Sequence, residues 1–466
     1  MADAARIAII GAGPAGLAAA IALAEAGIAC TLIDDNREAG GQIFRAGAAL
    51  PPDIPGIDRR GRELRRRLAA LASRIDHRRG TEVVAIDAER KLWLAGEDGR
   101  RGELPPDVVI LCPGAVELFA PVPGWTLPGV FGLGGLQVLL KAGAVPEGPV
   151  VLAGAGPLLR LLAAQLIACG VELAAVVDAS PLPGPGAVAD MTREPALLAR
   201  GLALEAAIVR ARVPLLRRHA VVAIEGAGAV ECVEVAPVDS EWRLTGRSRR
   251  QFRCTALGLG YGLRPNVELT LLAGAEHAFD PALGGWHVRR SPDLESSVRN
   301  IFVAGDGAGV QGVEAALAEG AIVAYAAAVR TAHPNAASLY PAAARARERL
   351  ARLARFRRGL AAWSAPRAGI FDAARPDTFV CRCEDVTRRE IDAALAAGFG
   401  DMRALKLRTR AGMGLCQGRV CAPIIQHLAA AATGRAPAEV PLPTARPPLR
   451  PVPATALADL PMEAAP

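Results

Sequence analysis

The first 34 residues of the chain alternate between short apolar runs and a longer alanine- and leucine-rich stretch. Residues 7–10 are wholly apolar, which is typical of a buried parallel strand, and a second apolar run ends at Asp34. Between the two runs, residues 14–25 are strong helix formers with a proline at the first position. The pattern therefore predicts a strand, a turn, a helix and a second strand.

The turn after the first strand has the GxGxxG spacing of a phosphate-binding loop. Gly11 permits the tight turn, Gly13 lets the backbone approach a pyrophosphate, and Gly16 lets the helix pack closely on the strand. The helix N-terminus favours phosphate charge, and a carboxylate at Asp34 suits ribose hydroxyls. The predicted dinucleotide-site residues of this first unit are Gly11, Gly13, Pro14, Ala15, Gly16 and Asp34.

The same pattern recurs at residues 150–178, with two differences. Leu159 stands where the third glycine belongs, and Val177 stands where the ribose-binding acid belongs, with Asp178 one position later. Gly154, Gly156 and Asp178 are candidates for a second nucleotide site. The alternatives are an NAD(P)H site, another nucleotide, or a scaffold without ligand, and the sequence leaves them open.

A further buried run at 300–307 ends in Gly305 and Asp306 and precedes an alanine-rich helix, as if the first unit resumed there. We therefore predict an α/β protein of two dinucleotide-binding domains, the second inserted in the first, with a small helical domain at the C-terminus. The predicted segments are the first part of the first dinucleotide-binding domain, the inserted domain, the second part of the first domain, a linker helix, a cysteine-containing domain and a proline-rich tail, at 1–118, 119–265, 266–335, 336–375, 376–435 and 436–466.

Composition narrows the class of protein. The 466 residues are 52% hydrophobic and carry a net charge of +7, but only 4% are aromatic. A nucleic-acid partner is not predicted, because basic residues are scattered and few aromatic side chains are available for base stacking. A signal peptide is not expected before the first strand, and the longest apolar stretch, 150–177, is interrupted by Arg160 and Glu172. A cytoplasmic protein with at most peripheral membrane contact is expected.

Four of the nine cysteines are paired in sequence. Cys381 and Cys383 form a CxC, and Cys416 and Cys421 form a CxxxxC, with a helix-like segment between the pairs. Without an export signal, a disulfide framework is not expected. Four thiolates on two short loops suit either a [2Fe-2S] cluster or zinc.

Three less distinctive segments complete the pattern. Residues 56–80 predict an exposed amphipathic helix with apolar Leu64, Leu68, Leu71 and Ile75, and residues 340–363 predict a connecting helix with a solvated arginine face. The tail is too rich in proline for a helix or a central strand. An extended arm on a neighbouring domain and a disordered tail are both open interpretations.

The loop after Asp34 resembles that of the two-dinucleotide-domain flavoproteins related to glutathione reductase, because it reads DNREAGGQIFR. The resemblance implies FAD as cofactor. The residues implied to lie along the flavin nucleotide are Gly41, Gln42, Arg45, Val83, Gly114, Gly305 and Asp306, with backbone contacts to adenine at Val83. The disulfide reductases of that family have a CxxxxC pair directly after this loop, but here no cysteine occurs between Cys30 and Cys112, so disulfide exchange is not predicted.

The cysteine segments resemble the [2Fe-2S] domain of bacterioferritin-associated ferredoxin. With the GGQI loop, the altered GAGPLL turn and the stretch GLRPNVEL at 262–269, nearly the whole chain resembles one family. That family contains the A subunit of opine (octopine and nopaline) oxidases, the B subunit of hydrogen cyanide synthase, and the alpha subunit of D-hydroxyproline and dye-linked proline dehydrogenases.

The resemblance implies an electron-transfer subunit with FAD and a [2Fe-2S] cluster in a heteromeric amino-acid or opine dehydrogenase. It also implies a partner like D-amino acid oxidase that oxidises the C–N bond, an electron acceptor, and in some complexes a small ferredoxin-like subunit. Two alternatives are a self-sufficient NAD(P)H-dependent flavin and iron-sulfur oxidoreductase, and a scaffold subunit with a structural flavin. The sequence does not identify the amino acid or opine.

Overall fold

A computed structural model describes residues 6–45, 54–55, 59–246 and 248–454. The N-terminal segment alternates strands and helices and then forms an antiparallel hairpin series. Its elements are β1 (Ile7–Ile10), α1 (Pro14–Glu25), β2 (Cys30–Ile33), α2 (Arg59–Ala70), β3 (Ile75–Arg78), β4 (Thr81–Ile86), β5 (Leu92–Gly96), β6 (Arg101–Leu104), β7 (Val108–Leu111) and β8 (Ala115–Glu117).

The middle segment repeats the strand–turn–helix–strand order. Its elements are β9 (Val130–Gly132), α3 (Leu133–Lys141), β10 (Val150–Gly154), α4 (Pro157–Ala168), β11 (Leu173–Asp178), α5 (Pro185–Met191), α6 (Pro195–Arg210), β12 (Leu215–Arg217), β13 (His219–Glu225), β14 (Cys232–Pro237), β15 (Arg250–Arg253) and β16 (Ala256–Gly260).

The chain then returns to the first sheet and continues into a helical region. These elements are β17 (Leu263–Pro265), α7 (Glu268–Leu272), β18 (His277–Asp280), β19 (Gly285–Val288), β20 (Ile301–Val303), α8 (Val313–Arg330), α9 (Ala336–Ser364), β21 (Phe379–Cys381), β22 (Val386–Thr387), α10 (Arg388–Ala396), α11 (Met402–Thr409) and α12 (Ala422–Thr433).

Two parallel five-stranded sheets form the framework. The first has the order β20-β7-β1-β2-β3 and the second has the order β12-β11-β10-β16-β9, and each is accompanied by an antiparallel three-stranded sheet. The strands β1, β7 and β10 are buried along their whole length, as expected of parallel strands covered on both faces. The α/β architecture predicted from the sequence is thus confirmed.

The two sheets are joined by two crossing strands. β8 leaves the first sheet and β17 returns to it, and the two pair antiparallel, with Ala115 opposite Pro265. Beyond α9, the C-terminal helices pack against the middle segment and share its hydrophobic core, in which Val380 and Ile391 join Leu257 and Trp242. The cysteine loops are therefore fixed to the body of the molecule.

One predicted helix is shorter than the pattern indicated. α2 ends at Ala70, and Ile75 belongs to β3, where it pairs with Cys30 at the edge of the first sheet. Ile75 is buried by this strand pairing, so its helical spacing from Leu64 and Leu68 was misleading. Tertiary pairing outweighs local periodicity in such short segments. Among the described helices, none combines the length and apolar character needed to cross a membrane.

The tail lies on the body of the molecule as far as residue 454. Leu449 is buried and donates its amide to the carbonyl of Val84 at 3.1 Å. Arg450 pairs with Asp35 at 2.9 Å and with Glu82 at 2.8 Å. Of the two interpretations of the tail, this part agrees with the extended arm. Residues 455–466 lie outside the described part of the chain.

Candidate functional site

The first turn is built so that only glycine fits at two of its positions. A Cβ on Gly11 would lie 2.2 Å from the carbonyl oxygen of Cys112, and one on Gly16 would lie 1.9 Å from the carbonyl oxygen of Gly11. Gly13 differs, because a Cβ there would meet nothing within 4 Å. Gly13 is also the N-cap of α1, with Pro14 in the first turn and no side chain capping the free amides. Those amides are left for an anion.

Asp34 closes the turn from the end of β2. Its side chain is 5% exposed and accepts hydrogen bonds from the amides of Ala12 and Asn36, the latter at 2.8 Å. Burial raises the pKa of Asp34 above its usual value, while the two amides oppose the shift. The carboxylate is thus fixed at the edge of the phosphate turn, where sequence reasoning predicted a ribose contact.

The loop with Gly41 lies directly over the turn. A Cβ on Gly41 would lie 2.9 Å from the Cα of Gly13, and the amide of Gly40 donates to the carbonyl of Ala12 at 2.8 Å. Arg45 donates to Asn36 at 2.5 Å, while its Nε is buried and has no partner among the residues that the structure describes. Gln42 is exposed beside them. A buried, unpaired guanidinium nitrogen at this point suits an anionic ligand that would complete its hydrogen bonding.

The loop is held by a residue of the middle segment that sequence reasoning missed. Lys141 is 5% exposed, and its Nζ donates to the carbonyls of Gln42 at 2.7 Å and Ile43 at 3.1 Å. Burial, and secondarily Arg45, lowers the pKa of Lys141 to about 8. A single lysine near a helix C-terminus gave no signal in the sequence, because C-terminal cations are common.

The other wall of the site comes from the returning strand β20. Gly305 has a φ of 76°, and a Cβ there would lie 3.0 Å from that of Ala15 at the start of α1. Asp306 accepts hydrogen bonds from the amides of Gln311 and Gly312, both at 2.9 Å. Burial raises the pKa of Asp306, and the two amides oppose this shift. The structure thus brings both ends of the first domain to one turn.

A buried ion pair supports this wall. Glu319 is 2% exposed, accepts from the amide of Gly305 at 2.7 Å and pairs with Arg290 at 2.6 Å. Neither residue was predicted from the sequence, although an acid within the alanine-rich stretch of α8 was a usable signal, since an isolated buried charge requires a partner. The pair fixes the loop that carries Asp306.

Val83 and Gly114 are the two remaining residues that the resemblance assigned to the flavin nucleotide. Val83 is buried in β4 next to an irregularity in the pairing with β5, and the amide of Thr81, at the start of β4, donates to the carbonyl of Asp34 at 2.9 Å. Gly114 has a φ of 72° and open space beside its Cα. We refer to Val83, the glycine turn and Gly114, with the other residues that the resemblance assigned to FAD, as the FAD-type cleft. The glycine turn, the carboxylates and the arginine nitrogen suit a flavin dinucleotide.

The second unit has the same glycine turn, but an arginine of the protein itself lies against its acidic residue. A Cβ on Gly154 would lie 1.7 Å from the carbonyl oxygen of Gly260, which parallels Gly11. Asp178, however, is fully buried and pairs with Arg160 of α4 at 2.5 Å, whereas Asp34 receives an amide of its own turn. Arg160 also pairs with Glu205 at 2.9 Å. The carboxylate expected to meet a ribose is therefore neutralised by the protein itself.

The C-terminal end of α9 covers this second turn. The ring of Trp363 lies 4.4 Å from the guanidinium of Arg160, and its Nε1 donates to the carbonyl of Pro181 at 2.8 Å. A Cβ on Gly156 would lie 3.9 Å from the Oγ of Ser364. The predicted solvated arginine face of this helix is also partly engaged, since Arg349 pairs with Glu194 and Arg358 with Asp190.

The structure brings the four paired cysteines together from their two loops. The thiols of Cys381 and Cys421 are hydrogen-bonding neighbours, and so are those of Cys383 and Cys416. The hydrogen bond from Cys421, helped by backbone amides that include Gly412, lowers the pKa of Cys381 to about 6 despite burial. The amide of Gly412 lies 3.5 Å from the sulfur of Cys381.

Within the described residues, no three or more histidine, cysteine or acidic side chains surround one point as ligands of a single metal ion would. The thiols instead form two pairs, each with one member from each loop. A mononuclear zinc site requires four donors around one centre, whereas a [2Fe-2S] cluster is held by two thiolates on each of two irons. Both groups need four thiolates, and the two loops supply that number.

The cysteine loop touches the strand that runs past Gly114. Arg264 of β17 is 7% exposed and donates from Nε and Nη2 to the carbonyl of Arg419, at 3.2 and 2.8 Å. Arg419 lies between Cys416 and Cys421. Two residues after Arg264, the amide of Asn266 donates to the carbonyl of Gly114 at 3.0 Å. One short stretch of backbone therefore connects the FAD-type cleft with the cysteines.

Comparison with known proteins agrees with this geometry. Residues 5–320 match the pyridine nucleotide-disulphide oxidoreductase family, and residues 375–460 match the sarcosine oxidase A3 domain. The chain is 39% identical to hydrogen cyanide synthase subunit HcnB of Pseudomonas aeruginosa over 92% of its length and 93% of the relative. The chain belongs to the family of HcnB and the opine oxidase A subunits. It is 34% identical to the A subunit of opine oxidase from Agrobacterium tumefaciens, over 97% of this chain and 91% of that protein.

Members of this family are FAD-dependent oxidoreductase subunits, and so is this chain. The predicted family relationship is thereby confirmed. Among solved structures, L-proline dehydrogenase from P. horikoshii has the same fold, with a TM-score of 0.69 over 98% of this chain and 81% of that one, at 19% identity. Thioredoxin reductase from T. acidophilum has a TM-score of 0.52 over 70% of this chain and 98% of that one, also at 19% identity. The second match shows the fold of the two dinucleotide units only.

Proposed function

We propose that this chain is the FAD- and [2Fe-2S]-containing electron-transfer subunit of a heteromeric amino-acid or opine dehydrogenase. In this proposal, FAD lies along Gly11, Gly13, Asp34, Gly114 and Asp306, and the cluster is held by the four paired cysteines. The bound flavin supplies two-electron chemistry and the cluster accepts electrons singly, a combination that a zinc ion could not provide.

The observation that carries this proposal is the contact between the cysteine loop and the cleft. Arg264 fixes the carbonyl of Arg419 from a buried position, and the same strand continues to the backbone contact with Gly114. A buried arginine that satisfies two donors on one carbonyl holds that loop in a fixed orientation. Two redox groups joined in this way support electron transfer between them.

Oxidation of the amine is assigned to a partner flavoprotein that resembles D-amino acid oxidase. The relatives support a partner, because HcnB and its opine oxidase counterpart are each one subunit of a larger enzyme. The net reaction would oxidise a C–N bond to an imine, which hydrolyses to a 2-oxo acid and an amine, and would deliver the electrons to an acceptor. A small ferredoxin-like subunit is a further component in this proposal, and a cytoplasmic location stays a prediction.

The test is an anaerobic absorbance spectrum of the purified chain, with iron and acid-labile sulfide measured on the same sample. We expect flavin and iron-sulfur bands that bleach with the partner plus proline, hydroxyproline or an opine, and that persist with NADH alone. Bleaching by NADH at a catalytic rate would instead support the self-sufficient oxidoreductase. A flavin that stays oxidised while the whole complex turns over would support the scaffold subunit.

Matched cysteine variants locate the cluster. Cys421→Ser should remove iron and sulfide while leaving flavin bound, because the altered thiol lies in the cysteine pairs and not in the FAD cleft. Cys254→Ser is the control, since Cys254 is also buried but belongs to neither of the two cysteine motifs. Equal iron content in both variants would contradict the assignment of the four cysteines.

A further inference from the structure

The helix α11 carries an unusual solvent face next to the cysteines. Arg403, Lys406 and Arg408 lie on this helix, and within the described part of the chain none of the three forms an ion pair. Leu407 is 67% exposed between them, and Leu415, which directly precedes Cys416, is 76% exposed. Arg403, Leu407, Arg408 and Leu415 are exposed, whereas Lys406 is half-buried. We call the four exposed residues, two cations and two leucines, the α11 face.

Helix stability alone does not explain this face. Cations in the last turn, such as Lys406 and Arg408, favour the helix dipole, but Arg403 lies in the first turn, where a positive charge is unfavourable. Arg403 and Lys406 are also three residues apart, a spacing at which like charges repel. Exposed leucines surrounded by charged side chains are typical of a protein interaction surface.

The α11 face lies beside the paired thiols. Lys406 and Cys421 border the same small cavity of about 10 Å³, together with Gly412, whose amide approaches Cys381. Leu415 is adjacent in sequence to Cys416, and Cys383 is itself exposed. A protein that docks on this face would therefore come close to the cysteine centre and not to the flavin cleft.

We propose that the α11 face is the docking surface for an acidic one-electron redox protein, an inference that rests on the proposed electron-transfer function. The unpaired cations are complementary to acidic side chains, and such charges steer association and raise its rate at low salt. The exposed leucines supply the apolar centre of the contact. The four paired cysteines would hold the cluster, which would supply electrons one at a time, and the α11 face would bring the docked one-electron acceptor close to them.

The experiment uses the full chain, reduced with dithionite and desalted anaerobically. It is mixed with oxidised plastocyanin, an acidic one-electron acceptor, with oxidised cytochrome c, a basic one, and with the small neutral oxidant 1,4-benzoquinone. We expect plastocyanin to be reduced about tenfold faster than cytochrome c at low ionic strength, with a rate that falls as salt is added.

Charge reversal on the α11 face should remove this preference. In Arg403→Glu/Arg408→Glu, we expect the rate with plastocyanin to fall about tenfold while oxidation by benzoquinone is unchanged, because both side chains are exposed and neither borders the cavity next to Cys421. Arg352→Glu/Arg355→Glu, on the exposed side of α9, is the matched control with the same change in net charge. Leu415→Ser should lower the plastocyanin rate at high salt as well, because its contribution is apolar and is not screened.

Two results would overturn the docking proposal. One is an equal loss in the α11 and α9 variants, which would mean that net charge alone sets the rate. The other is cytochrome c reacting as fast as plastocyanin. Failure of the proposed function looks different, because a chain with FAD but without the cluster would contain no iron or acid-labile sulfide, and only its flavin band would bleach with dithionite and return with benzoquinone.

Discussion

The two dinucleotide units share a turn and differ in what lies against it. In the first unit, Gly13 faces open space and Asp34 is held by amides of the turn region. In the second, Gly156 faces the side chain of Ser364, and Asp178 is paired with Arg160. The strand and helix pattern produces the same glycine turn twice. A side chain of α9 and a buried arginine lie against the second turn, whereas the first turn is open at Gly13.

The difference begins with one residue of the second turn. Arg160 occupies the position after the missing third glycine, at which the first unit has the buried Leu17. A buried arginine requires carboxylate partners, and it finds them in Asp178 and Glu205. Trp363 then packs on the guanidinium from outside. The predictions below test this contrast, beginning with the largest expected effect.

Gly16→Leu should abolish flavin binding and impair folding of the first domain. The new Cβ would meet the carbonyl oxygen of Gly11 at 1.9 Å, and backbone cannot move aside as a flexible side chain can. The measurement is the flavin-to-protein absorbance ratio together with far-UV circular dichroism. The second unit already has a leucine here, so Leu159→Ala is the matched variant, with an expected loss of about 2–5 kcal/mol in unfolding free energy and flavin retained. A Gly16→Leu protein with full flavin content would contradict the geometry.

Asp178→Asn should reduce the unfolding free energy by about 3 kcal/mol, because Arg160 would lose one partner of a buried pair. Flavin content should not change. Asp34→Asn should have the opposite profile, with a modest effect on stability and about tenfold weaker FAD binding, through loss of a charged hydrogen-bond acceptor. Urea unfolding and flavin titration measure the two effects. If both variants lose flavin equally, the second unit binds or supports the cofactor after all.

The covered second turn should bind NADH poorly. We expect no flavin reduction when the wild-type chain is mixed with 1 mM NADH (roughly the upper end of typical KM values), since Ser364 and Trp363 stand against the turn. Trp363→Ala removes the aromatic contact with Arg160, at a cost of about 1 kcal/mol for the cation–π interaction, and tests whether that cover is what excludes the nucleotide. Isothermal titration calorimetry with NADH measures both proteins. Micromolar binding by the wild type would show that the turn is accessible.

The last prediction concerns the lysine that the middle segment contributes to the first site. The pKa of Lys141 is lowered from 10.5 to about 8 in the folded chain, so between these values the unfolded chain binds more protons. The unfolding free energy therefore rises with pH across that window, and this contribution is lost as pH falls through 8. Lys141→Met should lack the rise. Urea unfolding at several pH values from 7 to 10 compares the two proteins, and parallel pH profiles would contradict the burial of this lysine.

The pattern of the sequence was sufficient for the parts of the site that depend on local geometry. Gly11, Gly16 and Gly154 are required by close backbone approaches, and such approaches leave a recognisable spacing. The spacing did not reveal Lys141 or the pair of Arg290 and Glu319, because each depends on a partner far away in the chain. Nothing in the local pattern of a charged residue says which distant group it will meet.

The sequence by itself determined the two strand–turn–helix units, the α/β class, the family and the two cysteine motifs. Each of these follows from patterns of residues within short segments. Only the tertiary structure decided that Ile75 lies in a strand, that α9 covers the second turn, and that the thiols associate in two pairs. The physical reason is that periodicity and glycine spacing record backbone geometry, which is local. Which of the two glycine turns stays open depends on side chains and helices that are distant in the sequence and that folding places against the turn.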